Sequence, residues 1–467
     1  MGNRSTWADV VAGWDAGGGP RFRRLARTLA GAIDRGALAP GSRLPSERAL
    51  AQRLGVSRGL VVSAFDALLA DDLVERRHGS GTYVRRGVAS LPADREGTAL
   101  VRRLVERSAD EDAGPRPIDL SLSVVHDLDD LAIPRLDGAA LRRVEPETGY
   151  SPWGLRELRA AIAAHVTSWG LPSDPDQIVV TTGAQQAIAA CAACWVRPGD
   201  VVVLDAPTYP GAVAAFRQAG ARLVGVPVDR DGIMVTPLEA ALRERRPTLV
   251  YLQSGVHSPT GTVLSERRRR EIARLLARHR VPLVEDAALV DTAWEPIPPP
   301  LAVHGPDLPV AVVGSLSKLF WGGLRIGFVR APSTLAPRFA RVKATLDLGS
   351  SAPSQVLAHR LLTAPGFATF LDARRALLRE RADALMQALR TSRPDWTFEP
   401  PRGGLSLWVR THDGDAAARA AEDRGVIVGA PGPLLPDTAS ERRSGDHIRL
   451  SFSGPVVELV DAAGRLA

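Results

Sequence analysis

The stretch V-V-G-S-L-S-K-L-F-W-G-G-L-R-I-G-F, Val312 to Phe328, holds Lys318, one of only two lysines in the chain. Lysine and arginine together number 59, so the other 57 are arginines. Arginine fills any surface role of a positive charge, but its guanidinium stays protonated at working pH and forms no imine. A lysine amine does, and a Schiff base with a carbonyl compound is its best-known covalent use. Ser315 and Ser317 stand just before the lysine and Arg325 seven residues after it. Serine hydroxyls and an arginine fork suit a phosphate. A leftover surface lysine is the plainer alternative, and the surrounding sequence decides between them.

Working outward, short β-branched runs alternate with helical patterns at 178–182, 201–204, 222–226, 249–252, 282–285, 310–314 and 325–329. Seven strands separated by helix-length segments predict a doubly wound α/β fold with a mostly parallel sheet. In such sheets ligands collect beyond the strand ends. There T-T-G-A-Q-Q-A-I turns at Gly183 from strand to helix and offers free backbone N–H groups to a phosphate. D-A-P-T-Y-P-G puts Tyr209 past the next strand, where it can stack on a flat ring. V-P-L-V-E-D ends a buried strand in Asp286, a carboxylate able to hold a pyridinium proton.

A chain of 467 residues suggests two or three domains. Residues 1–90 hold 14 Arg against 8 Asp or Glu, so 14 − 8 = +6 of the total +7 lies in this fifth of the chain. A small basic module on a nearly neutral body points to an anionic polymer as partner. No apolar run reaches the roughly 18 residues of a membrane span. The start lacks a signal-peptide core, so a soluble, cytoplasmic protein is expected. Cys191 and Cys194 lie on an Ala-rich helical run with no second pair to complete a zinc site, and read as small buried residues.

In the basic module Phe22, Leu25, Ala26, Leu29 and Ile33 keep helical spacing. Ser46 is placed to cap a second helix that stops at Gly55, and Ser57 to cap a third. On the third, Val61, Ala64, Phe65 and Leu68 share one face, leaving Arg58, Gly59 and Val62 outward. Two helices joined by a short Gly-containing turn form a helix-turn-helix. A hairpin follows, L-V-E-R-R then His78-Gly79-Ser80-Gly81 then T-Y-V-R-R.

P-G-x-x-L-P-S-E-R, L-G-V-S-R and G-x-G-T-x-V, over about 22–84, resemble the GntR-type winged-helix DNA-binding domain. The resemblance implies contacts to double-stranded DNA by Ser46, Arg48, Ser57 and Arg58, with His78, Gly79 and Gly81 at a wing tip against the minor groove. Gly59 to Val62 replace the polar residues common there, which leaves direct base reading largely to Arg58. The domain is assigned to 1–86, and an irregular tether to 87–116, with one short helix expected near 99–106.

The remainder, 117–467, resembles the fold-type I aminotransferases, enzymes of pyridoxal 5′-phosphate (PLP). The resemblance implies a Schiff base at Lys318, Asp286 on the pyridine nitrogen and Tyr209 stacked on the ring. It implies a phosphate cradle of Ala184, Gln185, Ser315, Ser317 and Arg325, and Arg449, in H-I-R-L-S-F-S, on a substrate or effector carboxylate. An edge-strand arginine is the plainer reading of Arg449. Ser258, before Pro259-Thr260-Gly261, stands where the family has an amide against the ring hydroxyl. The tyrosine that usually follows the aspartate is absent, with Ala288 in E-D-A-A. Both losses impair turnover more than binding.

A GntR-type winged helix fused to an aminotransferase-like body is similar to the MocR subfamily of bacterial regulators. That resemblance implies a homodimer whose PLP domain senses a small amino compound or PLP itself, with Tyr150 a weaker candidate for reaching the partner's phosphate. The competing readings are an active aminotransferase carrying a DNA-binding module and a body that binds no PLP and only dimerises the heads.

Overall fold

Buried strands covered on both faces read as apolar runs, and the large sheet of the computed structural model is built on seven main strands. They are β4 (Ile178–Thr181), β5 (Val201–Ala206), β6 (Arg222–Asp229), β8 (Leu249–Leu252), β9 (Leu283–Asp286), β10 (Val310–Ser315) and β11 (Gly327–Arg330). All residues of β4, β8, β9 and β10 are buried. An eighth strand, β7 (Gly232–Ile233), folds back antiparallel on the end of β6. The order is β4-β11-β10-β9-β8-β5-β6-β7. Neighbours from β10 through β6 run parallel, and β11 runs antiparallel to both β10 and β4.

Two details differ from the sequence expectation. The sheet has eight strands instead of seven, because β6 runs on to Asp229 and its extra length pairs with β7. Two residues are too few to show the alternation by which a strand is read. The last strand begins at Gly327, so Arg325 stands in the turn before it, at φ 53° in the left-handed region.

The structure describes residues 20–34, 41–70, 73–77, 81–85, 117–125, 149–305 and 307–467, with a few isolated positions between them. The chain divides into two compact units, 1–104 and 105–467, each described by itself. Along the central strands successive side chains point to opposite faces. Val203 joins Ile162, Ile272 and Leu276 on one side, while Val202 and Leu204 join Ile188, Phe216 and Phe339 on the other. The helices that bear on the site are α4 (Ala184–Trp195), α5 (Pro210–Gln218) and α6 (Ala336–Asp347).

A second, smaller layer completes this unit. β12 (Thr397–Phe398), β13 (Ser406–Arg410) and β15 (His447–Ser451) form an antiparallel sheet. Helices α7 (Phe367–Ser392) and α8 (Val456–Arg465) supply Leu378, Leu385 and Leu459 to its core, with Leu407, Leu450 and Phe452. Beside it β3 (Ile118–Asp119) pairs in parallel with β14 (Val426–Ile427).

The small N-terminal unit has helices α1 (Arg21–Asp34), α2 (Glu47–Leu54) and α3 (Arg58–Ala70), then the hairpin β1 (Val74–Arg77) and β2 (Gly81–Val84). The Ser46 side chain accepts a hydrogen bond from the Ala49 N–H at 3.2 Å, and Gly55 closes α2 in the left-handed region at φ 62°. Ser57 Oγ accepts from Leu60 N–H at 3.3 Å at the start of α3. Val61, Ala64, Phe65 and Leu68 are buried with Leu25, Leu29 and Ile33. Residues 41–44 add a third strand-like segment, Gly41 N–H to Val84 O at 2.8 Å and Leu44 N–H to Thr82 O at 2.9 Å. The arrangement is a winged helix. His78 and Gly79, the wing tip, and the helix expected near 99–106 lie outside the described residues. Among the described residues, no helix is long and apolar enough to cross a membrane.

Candidate functional site

Lys318 follows the C-terminal end of β10, where a parallel sheet collects its ligands. Its Nζ donates to the main-chain oxygen of Ser123 at 2.6 Å. Burial, then the guanidinium of Arg449, push the amine down to about 8; Asp286 opposes the shift and Arg325 adds to it. The amine thus sits in the field of three of the residues expected around it. Asp286, the last residue of β9, is held by Tyr251 Oη at 2.6 Å and by the Ala288 N–H at 2.9 Å. Burial raises its pKa against these two donors. Tyr209 precedes α5, and its phenol is pushed up by burial and by the charge of Asp286.

The residues expected to form a phosphate cradle meet at the start of α4. Gly183 caps this helix at φ 79° without a side-chain bond, which leaves its first N–H groups for a ligand. Arg325 lies over that turn: its Nη2 donates to Thr182 O at 3.1 Å, and a Cβ on Gly183 would come within 2.8 Å of it. A Cβ on Gly327 would lie 2.6 Å from Ala184 N, and Gly327 pairs with Ser315, so β10, β11 and α4 converge here. Gln185 Nε2 donates to Gly211 O at 2.9 Å. A Cβ on Gly211 would meet Gln185 Oε1 at 2.0 Å and the Tyr209 ring at 2.4 Å, so glycine lets those two side chains meet.

Arg449 sits on β15, which is an edge in strand order. That edge is covered, since Ser451 N–H donates to Leu120 O at 2.7 Å and the Arg449 guanidinium donates to Ser121 O. At 8 % exposure it is a buried cation, and the edge-strand reading does not describe its surroundings. Ser258 is also buried, but Gln253 engages its main chain, Ser258 N–H to Oε1 at 3.0 Å and Nε2 to Ser258 O at 2.9 Å. Tyr150 is 64 % exposed. Cys191 and Cys194 are buried on α4, where burial pushes both thiols up, Cys194 to about 11. No group of three potential metal ligands occurs among the described residues.

Two observations bear on whether PLP fits. Gln185 Oε1 and Ser317 Oγ are buried with no hydrogen-bond partner among the described residues. Buried polar atoms rarely stay unpaired in a native protein, and the Ser317 hydroxyl, next to Lys318 in the chain, can donate to a bound group. An amine, a buried carboxylate and a guanidinium, from Lys318, Asp286 and Arg325, are the chemistry that PLP's aldehyde, pyridine nitrogen and phosphate would need. The residues present fit the group.

On the DNA-binding unit Ser46 and Arg48, at the start of α2, and Ser57, Arg58 and Gly59, at the start of α3, are all exposed. Arg58 Nη2 reaches Glu47 at 3.1 Å, and Arg76, on the first wing strand, reaches Glu47 at 3.5 Å and Asp66 at 2.8 Å. The reading from sequence missed Glu47, Tyr251 and the carbonyls of Ser121 and Ser123. Tyr251 carried a usable signal: a phenol inside the buried strand L-V-Y-L must find a buried partner, and Asp286 lies one strand over.

Comparison with known proteins agrees with this geometry. Residues 127–466 match the model of aminotransferase class I and II, and residues 22–84 that of the bacterial regulatory proteins of the gntR family. The chain is 30 % identical to the HTH-type transcriptional regulator YisV of Bacillus subtilis, over 93 % of this chain and 92 % of that one. It is 30 % identical to the probable rhizopine catabolism regulatory protein MocR of Rhizobium meliloti, over 87 % and 85 %. Among solved structures, the α-aminoadipate aminotransferase LysN of Thermus thermophilus, complexed with N-(5′-phosphopyridoxyl)-L-leucine, superposes with a TM-score of 0.68 at 26 % identity, covering 78 % of this chain and 92 % of its own. The chain therefore belongs to the aminotransferase class I and II family and, by the gntR-family winged helix joined to that body, is a transcription regulator of the MocR type.

Proposed function

We propose that the chain is a DNA-binding regulator whose aminotransferase-like body holds PLP on Lys318 and responds to a small amino compound. The observation that carries this is the convergence of Lys318, Asp286 and Arg449 on one buried site, beside the unpartnered Ser317 hydroxyl, which can donate to a phosphate. Bound PLP supplies an electrophilic carbon and an electron-withdrawing ring. The protein's part is positional. Asp286, oriented by Tyr251, holds the pyridine nitrogen's proton; Ala184, Gln185, Ser315, Ser317 and Arg325 take the phosphate; Tyr209 covers the ring; and Ser258 lies by the ring hydroxyl without the amide's reach. An effector's carboxylate goes to Arg449, in competition with the Ser121 carbonyl, and its amine competes at Lys318, which the Ser123 carbonyl holds. The ligand acts on DNA binding only through unequal affinity for the two states of the regulator.

In this reading the protein works in the cytoplasm as a homodimer presenting two winged helices, with DNA contacts from Ser46, Arg48, Ser57, Arg58, His78, Gly79 and Gly81. The tether is taken as 87–116, between heads at 1–86 and bodies at 117–467. The test is the visible spectrum of the purified protein before and after a panel of amines, with DNA affinity followed in the same samples. Spectral change together with altered affinity supports the reading; a colourless protein that takes up no PLP defeats it. The second reading, a working aminotransferase, draws on the Lys318 amine at about 8, close to operating pH. With Ala288 and Ser258 in place, slow half-reactions are expected, and turnover near the enzyme median of about 10 per second would favour the second reading.

A further inference from the structure

The other lysine of the chain, Lys343, is fully buried on α6, and its Nζ makes an ion pair with Asp347 one turn on. Asp347 does not end there. Its Oδ2 accepts from Gln186 Nε2 at 2.8 Å and from Thr182 Oγ1 at 3.2 Å, and Oδ1 accepts from the Gly349 N–H at 3.0 Å. Gln186 returns its Oε1 to the Thr182 N–H at 2.7 Å, and Thr182 O receives Arg325. A continuous chain of polar contacts thus runs from Lys343 to the turn and the arginine that form the phosphate cradle.

From this chain we infer that Lys343 is a positioning residue for the cofactor phosphate, acting through Asp347 to fix Thr182 and Gln186 and to cancel a carboxylate charge behind the anion site. The inference rests on the PLP reading above. A carboxylate two bonds' reach from a phosphate turn repels the dianion unless a cation neutralises it, and low-dielectric surroundings strengthen that repulsion. The geometry also accounts for a lysine in a chain otherwise given to arginine. The pocket offers the amine one carboxylate oxygen, whereas a buried guanidinium brings five N–H donors in a rigid fork, each needing an acceptor.

The discriminating measurement compares PLP with pyridoxal, which lacks the phosphate. Apo full-length protein is titrated with each, following the Schiff-base absorption, for the wild type, Lys343→Met, Lys343→Met/Asp347→Asn and Thr182→Val. Lys343→Met should weaken PLP by about tenfold or more, while pyridoxal stays within about twofold. Removing the stranded carboxylate in the double variant should restore most of the preference. Thr182→Val, which alters only a partly exposed side chain, should lose preference by about threefold and carries the test if Lys343→Met does not fold. Equal losses for both ligands, or an unchanged ratio in Thr182→Val, would overturn the inference while leaving the cofactor reading intact. A wild type that binds neither ligand would overturn both.

Discussion

Arg58 and Glu47 allow a quantitative prediction for DNA binding. Arg58 is the one outward side chain at the start of α3 able to form a bidentate bond to guanine, a contact that discriminates by about 1–3 kcal/mol. In the free protein its guanidinium is held by Glu47, at 3.1 Å through Nη2 and 3.4 Å through Nε. The Arg58 side chain is 71 % exposed and that of Glu47 22 %, so the pair stabilises the free head by only about 0.2–1 kcal/mol. That contact is surrendered when Arg58 turns to a base. Taking about 0.5 kcal/mol for that pair, the net cost of Arg58→Ala on operator DNA is about 0.5–2.5 kcal/mol, roughly 2- to 70-fold in affinity, with preference relaxed at one base pair per half-site. Glu47→Gln should act oppositely, tightening operator and scrambled duplexes alike by up to about fivefold, and its effect should shrink in the Arg58→Ala background. Arg48→Ala should weaken both duplexes to a similar extent. The assay is a fluorescence-anisotropy cycle on a duplex selected with the wild type and on its scramble, at one salt concentration. Unchanged operator affinity in Arg58→Ala would misplace the recognition helix, and a marked loss in Glu47→Gln would show that Glu47 presents Arg58 instead of restraining it.

Lys318→Ala should abolish the visible chromophore, and borohydride reduction followed by peptide mapping should place the pyridoxyl group on Lys318; a label on the buried, ion-paired Lys343 would refute the assignment. The rate of PLP capture by apo protein depends on the neutral amine, so it should rise about tenfold per pH unit and level off near pH 8, and a climb that continues toward the ordinary lysine value of 10.5 would contradict the site's electrostatics. Gly183→Ala forces a side chain into φ 79° and against Arg325, a strain of about 1–3 kcal/mol that should cost PLP about 5- to 150-fold by equilibrium dialysis. Arg449→Ala should suppress spectral responses to amino acids while sparing those to simple amines, and equal loss of both would remove Arg449 from carboxylate recognition.

Much of the site was legible because its chemistry is carried by residue types at strand ends. Lys318, Asp286 and the Gly183 turn each follow an apolar run long enough to be recognised as a buried strand. The capping serines of the small unit were legible for a similar reason, since a hydroxyl before a helix has a local purpose. What escaped was made by main chain or by brevity. The carbonyls of Ser121 and Ser123 hold the two key cations, and a carbonyl is the same in every residue. β3, β7, β12 and β14 have two residues each, so no periodicity exists to be read. The pairing of Arg58 with Glu47 joins two motifs that sequence presents as separate surfaces, and only the fold of α2 against α3 brings them to one place.

The anchorage of β3 bears on how force travels through this molecule. Ile118 N–H bonds to Gly425 O at 3.0 Å, Leu120 N–H to Ile427 O at 2.7 Å and Ser451 N–H to Leu120 O at 2.7 Å. Residues 118–120 are thus riveted to the small C-terminal layer, and Ser123 O, three residues on, receives the Lys318 amine. Any displacement of that layer would therefore be felt directly at Ser121 and Ser123, whose carbonyls receive Arg449 and Lys318.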